Sequence, residues 1–312
     1  MACAIGVCGY EFQPFRHENM EKQKIIVAGI DFSDSSPMVI RHGLARAKSG
    51  ATRLLAVHVL DKSRLEHRKA SGIGSETQNE LKASAERKFE ALLRGKTEGV
   101  EVEFVVKIGK PAEELCQVVT DSGASVLIIS ANDMTKARLG SIAARCVRMA
   151  ACDVLVLRDW QGGDFKKIVV CTDFSDTADQ AVERAAEIAR RDGSILEIVH
   201  VMYPPGSDAW GEVLEHAAAA PSTYVEECRA RVEGQMKSYV ERHGAALAGV
   251  RFETLVLESE MPSVAITTHV KFSGADLVVM GTRGHSPMAS YFLGTNAERL
   301  LHDASVSVLA VR

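Results

Sequence analysis

The chain has 312 residues, of which 46% are apolar and 25% charged, and its formal net charge is −4 at pH 7. This length predicts two domains of about 150 residues each, and the composition is that of a folded globular protein, which excludes a disordered chain. Lysine and arginine are spread along the sequence without a basic cluster, so we expect no nucleic-acid partner.

Cysteine use and hydropathy indicate the compartment. The seven cysteines are an odd number at wide spacings without a CxxC pair, which predicts reduced thiols and neither a disulfide framework nor a zinc site. No segment approaches the ~18 continuous apolar residues of a membrane span, and residues 1–23 lack the basic start of a secretion signal. We therefore expect a cytoplasmic protein with no membrane partner. Residues 1–23 are interpreted as an N-terminal extension, with Met20 as an alternative start.

The first predicted elements lie in residues 24–60, KIIVAGIDFSDSSPMVIRHGLARAKSGATRLLAVHVL. Their pattern indicates an apolar strand, the sequence Asp-Phe-Ser-Asp, an amphipathic helix and a second strand that ends in His-Val. Pro37 follows Ser36, which predicts a helix start with Ser36 as the N-cap. Residues 110–130 then predict a further helix and the strand VLIIS, and DVLVLR at 153–158 predicts the last strand of this segment.

The same order of elements returns after a polar linker, DWQGGDF, at 159–165. KIVVCTDFSDTADQAVERAAEIARRDGSILEIVHVM at 167–202 repeats the opening segment, with Asp31 and Asp173 placed 142 residues apart, as are His58 and His200. Strands of this second copy are predicted at 167–172, 195–202, 251–257, 276–280 and 306–311. A single repeat of this length predicts a duplicated domain, with copies at 24–158 and 166–312.

Hydrophobic periodicity predicts how each copy folds. The helix after the second Asp-Phe-Ser-Asp has a stripe of apolar residues at helical spacing, with Gly193 as its C-cap; the stripe is Ala181, Val182, Ala185, Ala186, Ile188 and Ala189. The strands VLIIS and LVVMG are apolar on both faces, which is typical of parallel strands covered by helices on both sides. The alternation of strands and helices predicts an α/β fold of two tandem, open, doubly wound domains.

The stretch GTRGHSPMASYFLGT, residues 281–295, follows one of these predicted strands. Ligands of doubly wound sheets bind beyond the carboxyl ends of the strands, so Gly281 and Gly284 lie where a ligand would bind. Gly294 and Thr295 open a helix whose first amides are unpaired and attract anions, and Arg283 adds a cation. Three turn glycines are the alternative reading. The chain has no P-loop, and no GxGxxG follows its first strand.

The pattern G-x2-G-x9-G-[S/T], behind a βα repeat that begins V-x-x-T-D-F-S, resembles the ATP-binding motif of the universal stress proteins. The resemblance covers residues 24–312, as a tandem two-domain member of that family. It implies a five-stranded parallel sheet in each domain, in the order 3-2-1-4-5 and flanked by helices, with ATP at the carboxyl ends of the strands. In that family the last strand, which lies at a sheet edge, commonly mediates dimerisation. We therefore expect the two copies to pair within one chain as a pseudo-dimer and two chains to associate as a homodimer.

Carried onto the second copy residue by residue, the resemblance implies a nucleotide site. Its residues are Thr172, Asp173, Val201, Met280, Gly281, Arg283, Gly284, His285, Gly294, Thr295 and Asn296. Asp173 and Val201 would hold adenine and ribose, the loop from Met280 would line the phosphates, and the segment from Gly294 would cradle them. Mg²⁺ would accompany the ATP, with the Thr295 hydroxyl as its candidate protein ligand. For Asp173, a role limited to capping the first helix remains an alternative.

The first copy departs from this pattern. Its corresponding residues are Asp31, Val59, Gly140 and Ser141, but Ser130 and Asp133 stand in place of the two early glycines, and the loop is shorter. A Cβ at each position narrows the space for phosphate, and the Asp133 carboxylate would repel it. We interpret this copy as a degenerate site and expect one ATP per chain, in residues 166–312.

Three classes of function remain open on the sequence. The first is a cytoplasmic stress-response protein that changes state with ATP, with segment 202–228 as a lid or a partner surface. The second is a protein-interaction module, with an unknown protein partner, in which nucleotide binding is incidental. The third is a slow ATPase, which we disfavour because phosphoryl transfer needs a residue that orients the nucleophile and Asp173 would lie at the adenine end. A catalytic role for the paired His58 and His200 is the less favoured reading of two strand-end histidines.

Overall fold

The computed structural model describes residues 24–71, 76–97, 99–131, 140–204, 222–282 and 293–312. The chain divides into two units, with the boundary between Leu157 and Arg158. Strands and helices alternate along both units, as the repeat predicts. Among the described residues, no helix has the length and apolar character needed to cross a membrane.

The first unit contains five strands and five helices in its described part. In chain order they are β1 (Ile25–Ile30), α1 (Ser36–Gly50), β2 (Arg53–Asp61), α2 (Lys62–Ala70), α3 (Gln78–Leu93), β3 (Val102–Gly109), α4 (Pro111–Ser122), β4 (Val126–Ser130), α5 (Ser141–Met149) and β5 (Asp153–Leu157). Every pairing between these strands is parallel, with β1 between β2 and β4, β3 beyond β2, and β5 beyond β4. The strand order is therefore 3-2-1-4-5, the order that the resemblance implies.

The second unit repeats this arrangement. Its elements are β6 (Lys167–Cys171), α6 (Asp176–Asp192), β7 (Ile195–Met202), α7 (Ser222–Arg242), α8 (Gly244–Leu247), β8 (Arg251–Glu258), α9 (Pro262–Ser273), β9 (Leu277–Gly281), α10 (Thr295–Asp303) and β10 (Ser307–Val311). Strand β6 lies between β7 and β9, with β8 and β10 outside them, and all pairs are parallel. Each predicted strand of this copy is present, with ends that differ by one residue at most.

The order of the strands fixes where a ligand can bind. From the first strand of each unit the chain moves to a neighbour on one side, and it later returns to the other side. In a sheet of this order, a crevice lies at the carboxyl ends of the two neighbouring strands from which the chain departs in opposite directions. The carboxyl ends of β1 and β4 border the crevice of the first unit, and those of β6 and β9 border that of the second.

Helix α6 confirms the predicted core face and corrects one cap. All six residues of its predicted apolar stripe are buried, and Gly193 ends the helix with a positive φ of 69°. Its N-cap is Ser175, whose hydroxyl accepts a hydrogen bond from the amide of Ala178, so Asp173 is not the cap.

The predicted cap of α1 is wrong by one residue. In α1 the cap position is Ser35 and not the predicted Ser36, because the helix begins at Ser36 with Pro37 in its first turn.

A buried polar cluster distinguishes the core of the second unit from that of the first. The Glu197 carboxylate, on β7, accepts from Lys167 Nζ at 3.3 Å and from the Nε2 of His269 on α9. Glu197 is buried, and its two partners are partly buried. The repeat aligns these three positions with Ile25, Leu55 and Val118, which are apolar. The first unit therefore shows which apolar side chains this fold accepts at the same positions.

This cluster gives a prediction about stability. Glu197→Leu alone leaves a lysine and a histidine without their carboxylate, so we expect the free energy of unfolding to fall by about 1–3 kcal/mol. Combined Lys167→Ile, Glu197→Leu and His269→Val replaces the cluster by the residues of the first unit, and we expect stability within about 1 kcal/mol of the unmodified protein, or above it. Urea denaturation of both variants checks this; a triple variant less stable than the single one would contradict it.

Candidate functional site

The turn after the first strand is held by the same carboxylate interaction in both units. Asp173 Oδ1 accepts the amide of Ser175 at 3.1 Å and its hydroxyl at 2.5 Å. Asp31 Oδ1 accepts the same two groups of Ser33, at 2.9 and 2.6 Å. Both aspartates are exposed, at the carboxyl end of the central strand. The carboxylate therefore shapes the turn that borders the crevice.

The phenylalanine inside this turn adopts a rare backbone conformation. Phe32 has a φ of 59° and Phe174 a φ of 64°, the left-handed region that bulky residues seldom enter. The Phe174 ring stacks on His200 with centroids 4.4 Å apart, and the Phe32 ring lies 4.7 Å from His58. Strain of this kind persists only where the surrounding structure enforces it, and it is concentrated at functional sites.

The histidines of this pair have a structural role on the floor of the turn. His200 Nδ1 lies 2.9 Å from the carbonyl oxygen of Thr172, and His58 Nδ1 lies 2.9 Å from that of Ile30. Burial lowers the pKa of both imidazoles, although the carbonyl hydrogen bond and the neighbouring aspartate act in the opposite direction. These contacts favour the structural reading of the two strand ends over a catalytic pair.

In the second unit, the strand β9 and the helix α10 approach each other at the edge of the crevice. The Gly294 amide donates to the carbonyl oxygen of Thr282 at 3.3 Å, which brings together the two ends of the glycine-containing loop. Gly294 is the N-cap of α10 and provides no side-chain cap. The first bond of the helix runs from the amide of Glu298 to Gly294, so the preceding amides have no intrahelical partner. Thr295 and Asn296 are exposed there.

The two described glycines of this site differ in what surrounds them. A Cβ on Gly281 would lie 3.0 Å from the carbonyl oxygen of Thr177 in α6, closer than real Cβ atoms normally approach backbone. A Cβ on Gly294 would meet no atom of the described residues within 4 Å. Close packing of β9 against α6 therefore explains Gly281, whereas the apo packing does not require a glycine at position 294.

Thr282 is a site residue that the motif did not reveal. It is buried, and its Oγ1 has no hydrogen-bond partner among the described residues. A buried hydroxyl without a partner is costly, and this one lies directly after β9, where the loop begins. The aligned residue of the first unit is Ala131, which has no hydroxyl.

The first unit has a cavity of about 580 Å³ at the corresponding place, a volume typical of ligand pockets. All four predicted residues of the first copy line it: Asp31, Val59, Gly140 and Ser141. Ser130 lines it too, and its hydroxyl accepts a hydrogen bond from Ser35 at 2.9 Å. Gly140 closes the loop as Gly294 does, because its amide donates to the carbonyl oxygen of Ala131 at 2.9 Å.

Comparison with known proteins identifies the family. The model of the Universal stress protein family matches this chain twice, at residues 23–158 and 164–312. The chain belongs to the universal stress protein family. It is a tandem member, with one family domain in each half.

Individual relatives are consistent with this duplication. A universal stress protein of Thermus aquaticus is 34% identical over 148 residues, which are 47% of this chain and 99% of the relative. Universal stress protein YxiE of Bacillus subtilis is 30% identical over 152 residues, 47% of this chain and 99% of the relative. The crystal structure of a universal stress protein from Archaeoglobus fulgidus matches with a TM-score of 0.65 and 19% identity, covering 94% of this chain and 98% of that one. At that identity the match shows the fold alone.

Most of the nucleotide residues that the resemblance implies in this universal stress protein lie within the described structure. The described ones lie at or near the carboxyl ends of β6, β7 and β9 and at the amino end of α10; they are Thr172, Asp173, Val201, Met280, Gly281, Gly294, Thr295 and Asn296. Arg283, Gly284 and His285 lie outside the described residues, as do Asp133 of the first copy, residues 1–23 and most of the segment 202–228. Within the described part of the chain, no group of three or more His, Cys, Asp or Glu side chains is arranged to hold a metal ion.

Sequence reasoning missed several residues of these sites. Phe174 is one of them: its amide donates to the Oγ1 of the predicted site residue Thr172 at 3.0 Å. In the first unit Asp61 and Arg64 also line the cavity. The sequence did contain a signal for the phenylalanine. Phe32 and His58 have the same spacing as Phe174 and His200, and a spacing kept in both copies indicates contact.

We predict unequal losses of stability when each of the two glycines is replaced by alanine. Gly281→Ala places a methyl group against the backbone of α6 and should lower the free energy of unfolding by about 1–3 kcal/mol. Gly294→Ala enters open space at an ordinary φ of −59° and should change it by about 0.5 kcal/mol or less. Chemical denaturation without ligand measures both, and equal losses at the two positions would refute the assignment of Gly281 to packing.

The histidine pair predicts a loss of stability in acid. The folded pKa of His200 lies below its unfolded value near 6.5, so the unfolded state binds more protons as the pH falls through this range. The stabilisation is complete above pH 6.5 and is lost towards the folded pKa, with a slope of at most about 1.4 kcal/mol per pH unit for one histidine. The difference in unfolding free energy between the unmodified protein and His200→Gln should shrink from pH 7.5 to pH 5. A difference that does not depend on pH would count against this assignment.

Proposed function

We propose that this universal stress protein binds ATP in its second unit and acts as a nucleotide-dependent regulatory module of the stress response in the cytoplasm. One observation carries the proposal: the closure of the loop by Gly294 and Thr282 beside the exposed amino end of α10. Unpaired amides and the positive end of the helix dipole favour a phosphate there.

The remaining residues fit a nucleotide whose phosphates lie at α10. Asp173 and Val201 follow the first and second strands of the unit and would hold the ribose and adenine. In the proposed complex the phosphate oxygens lie beside Gly294, where a Cβ would meet no atom of the described residues. The buried Thr282 hydroxyl provides a donor without a partner in the same described part of the chain. Mg²⁺ would accompany ATP, with Thr295 as the nearest candidate hydroxyl.

For the first unit we propose that it does not bind ATP. Its loop lacks the hydroxyl of Thr282, since Ala131 stands there, and the aligned glycine is Ser130. Ser130 lines the cavity of this unit without filling it. Its hydroxyl accepts a hydrogen bond from Ser35. Three features of the first unit therefore disfavour ATP: the shorter loop, the charge of Asp133 and the missing hydroxyl at Ala131. The bulk of Ser130 is not one of them.

In this proposal the protein signals by a shift between nucleotide-free and nucleotide-bound states, and a protein partner recognises one of them. ATP shifts the equilibrium by the difference between its affinities for the two states. A plain interaction module is the second candidate, because the first unit keeps the sheet and the crevice without the complete glycine motif.

Binding stoichiometry tests the proposed site. We expect native mass spectrometry to find one ATP per chain. ATP at 100 times its Kd should raise the free energy of unfolding by about 2.7 kcal/mol, and Gly294→Val should abolish this gain while the apo protein stays folded.

Ser141→Val, at the amino end of α5, is the matched control in the first unit and should leave the gain unchanged. Two nucleotides per chain would show that the first unit binds as well. A gain that survives Gly294→Val would contradict the phosphate cradle, and no binding with added Mg-ATP would favour the interaction module.

We also expect no efficient ATP hydrolysis. In the proposed arrangement Asp173 lies at the adenine end of the site, away from the terminal phosphate, and His200 is bonded through Nδ1 to the Thr172 carbonyl beneath the same turn, so we assign neither the role of orienting an attacking water. A steady-state assay should therefore detect at most slow release of phosphate. Turnover of many ATP per minute that is lost in Gly284→Asp would overturn this expectation.

A further inference from the structure

The helix α9 of the second unit presents apolar side chains on both of its faces. Ile266 and Val270 are buried in the unit. On the outer face Phe272 is 80% exposed, Met261, its N-cap, is 55% exposed and Val264 is 47% exposed. The outward face of a surface helix is normally polar or charged. The outer face of α9 is therefore the unusual one.

The exposed residues form a continuous stripe, here called the α9 stripe: Met261, Val264, Thr268 and Phe272. Each is exposed, and successive members are three or four residues apart, so they lie on one side of the helix. Val264, Thr268 and Phe272 have the spacing of a ridge that packs between the ridges of another helix. The stripe has the shape of a helix-packing surface.

The first unit lacks this stripe at the aligned positions of α4. Lys110, Glu113, Gln117 and Asp121 stand in place of Met261, Val264, Thr268 and Phe272. They interact with one another and with solvent: Lys110 pairs with Glu113 at 3.3 Å, and Gln117 donates to Asp121 at 2.7 Å. The same fold thus tolerates a polar surface here, so the fold itself does not require the apolar residues of α9.

Two opposite charges lie at the two ends of the α9 stripe. Glu260 is exposed directly before Met261, and Lys271 is exposed directly before Phe272. If two copies of the helix pack antiparallel about a two-fold axis near Ile266, the Lys271 end of one lies beside the Glu260 end of the other. The small side chains of Ala265 and Thr268 lie near the centre, where the helices approach most closely. The surface is therefore complementary to itself, which is what an isologous contact requires.

We propose that the α9 stripe is a contact surface between two copies of this chain, packed as antiparallel α9 helices. In this arrangement the second copy buries the apolar residues of the stripe and pairs with the charges at both of its ends. The stripe is one helix wide and smaller than the roughly 800 Å² per partner of a standard interface. The association is accordingly weak and depends on concentration.

Substitutions taken from the first unit test the surface. Phe272→Asp and Val264→Glu install the residues found in α4, and their positions are exposed, so the fold should be retained with an unchanged melting temperature. In sedimentation velocity on the full chain, from about 1 µM to about 1 mM, we expect the unmodified protein to dimerise. Each substitution should weaken the dimer at least tenfold. Met149→Asp, at an exposed methionine of α5, is the control and should not change association.

A charge exchange tests the antiparallel arrangement. Lys271→Glu and Glu260→Lys should each weaken the dimer, because each places like charges together, and the double variant should restore it. Failure of the double variant to restore association would refute this geometry. A monomer at all concentrations, or a dimer unaffected by Phe272→Asp, would overturn the proposal.

Discussion

Each crevice depends on one set of hydrogen bonds, which the carboxylate of the aspartate after the first strand accepts. By accepting both the amide and the hydroxyl of the serine two residues on, it closes the turn between β6 and α6, and that between β1 and α1. The intervening phenylalanine is thereby held in the left-handed region and its ring is placed on the strand-end histidine. The histidine in turn is fixed to the end of the first strand. One side of the crevice is thus a turn that these contacts hold in a single conformation.

The two units show how one fold accommodates different surfaces. In the second unit β9 packs closely on α6, with Gly281 against Thr177. The first unit has Ser130 and Ser35 at the aligned positions, joined by a hydrogen bond. Thr282 corresponds to Ala131, and the buried cluster around Glu197 corresponds to apolar residues. The outward face of α9 is apolar where that of α4 is charged. These differences lie at the crevice, beneath α9 and on its surface, while the strand order is the same.

Much of this could be predicted because it depends on local pattern. The apolar stripe of α6, its terminal Gly193 and the strands that are apolar on both faces each follow from periodicity and from single-residue conformational preference. The duplication made the prediction stronger, because each element could be checked against its counterpart. Helix starts were less predictable: Ser36 was expected as the cap of α1, but the hydroxyl of Ser35 bonds to Ser130, a residue 95 positions away.

The candidate site was predictable as a set of residues and not as a set of contacts. Sequence by itself determined the two family domains, the alternating strands and helices, and the glycine motif at 281–295, since spacing and residue type are properties of the chain. Only the tertiary structure decided that Gly281 is required by the backbone of α6, that the Thr282 hydroxyl is buried, and that the first unit retains its cavity. It also decided that the outer face of α9 is exposed. The physical reason is that close approach and burial depend on segments distant in the chain, which only the folded sheet brings together.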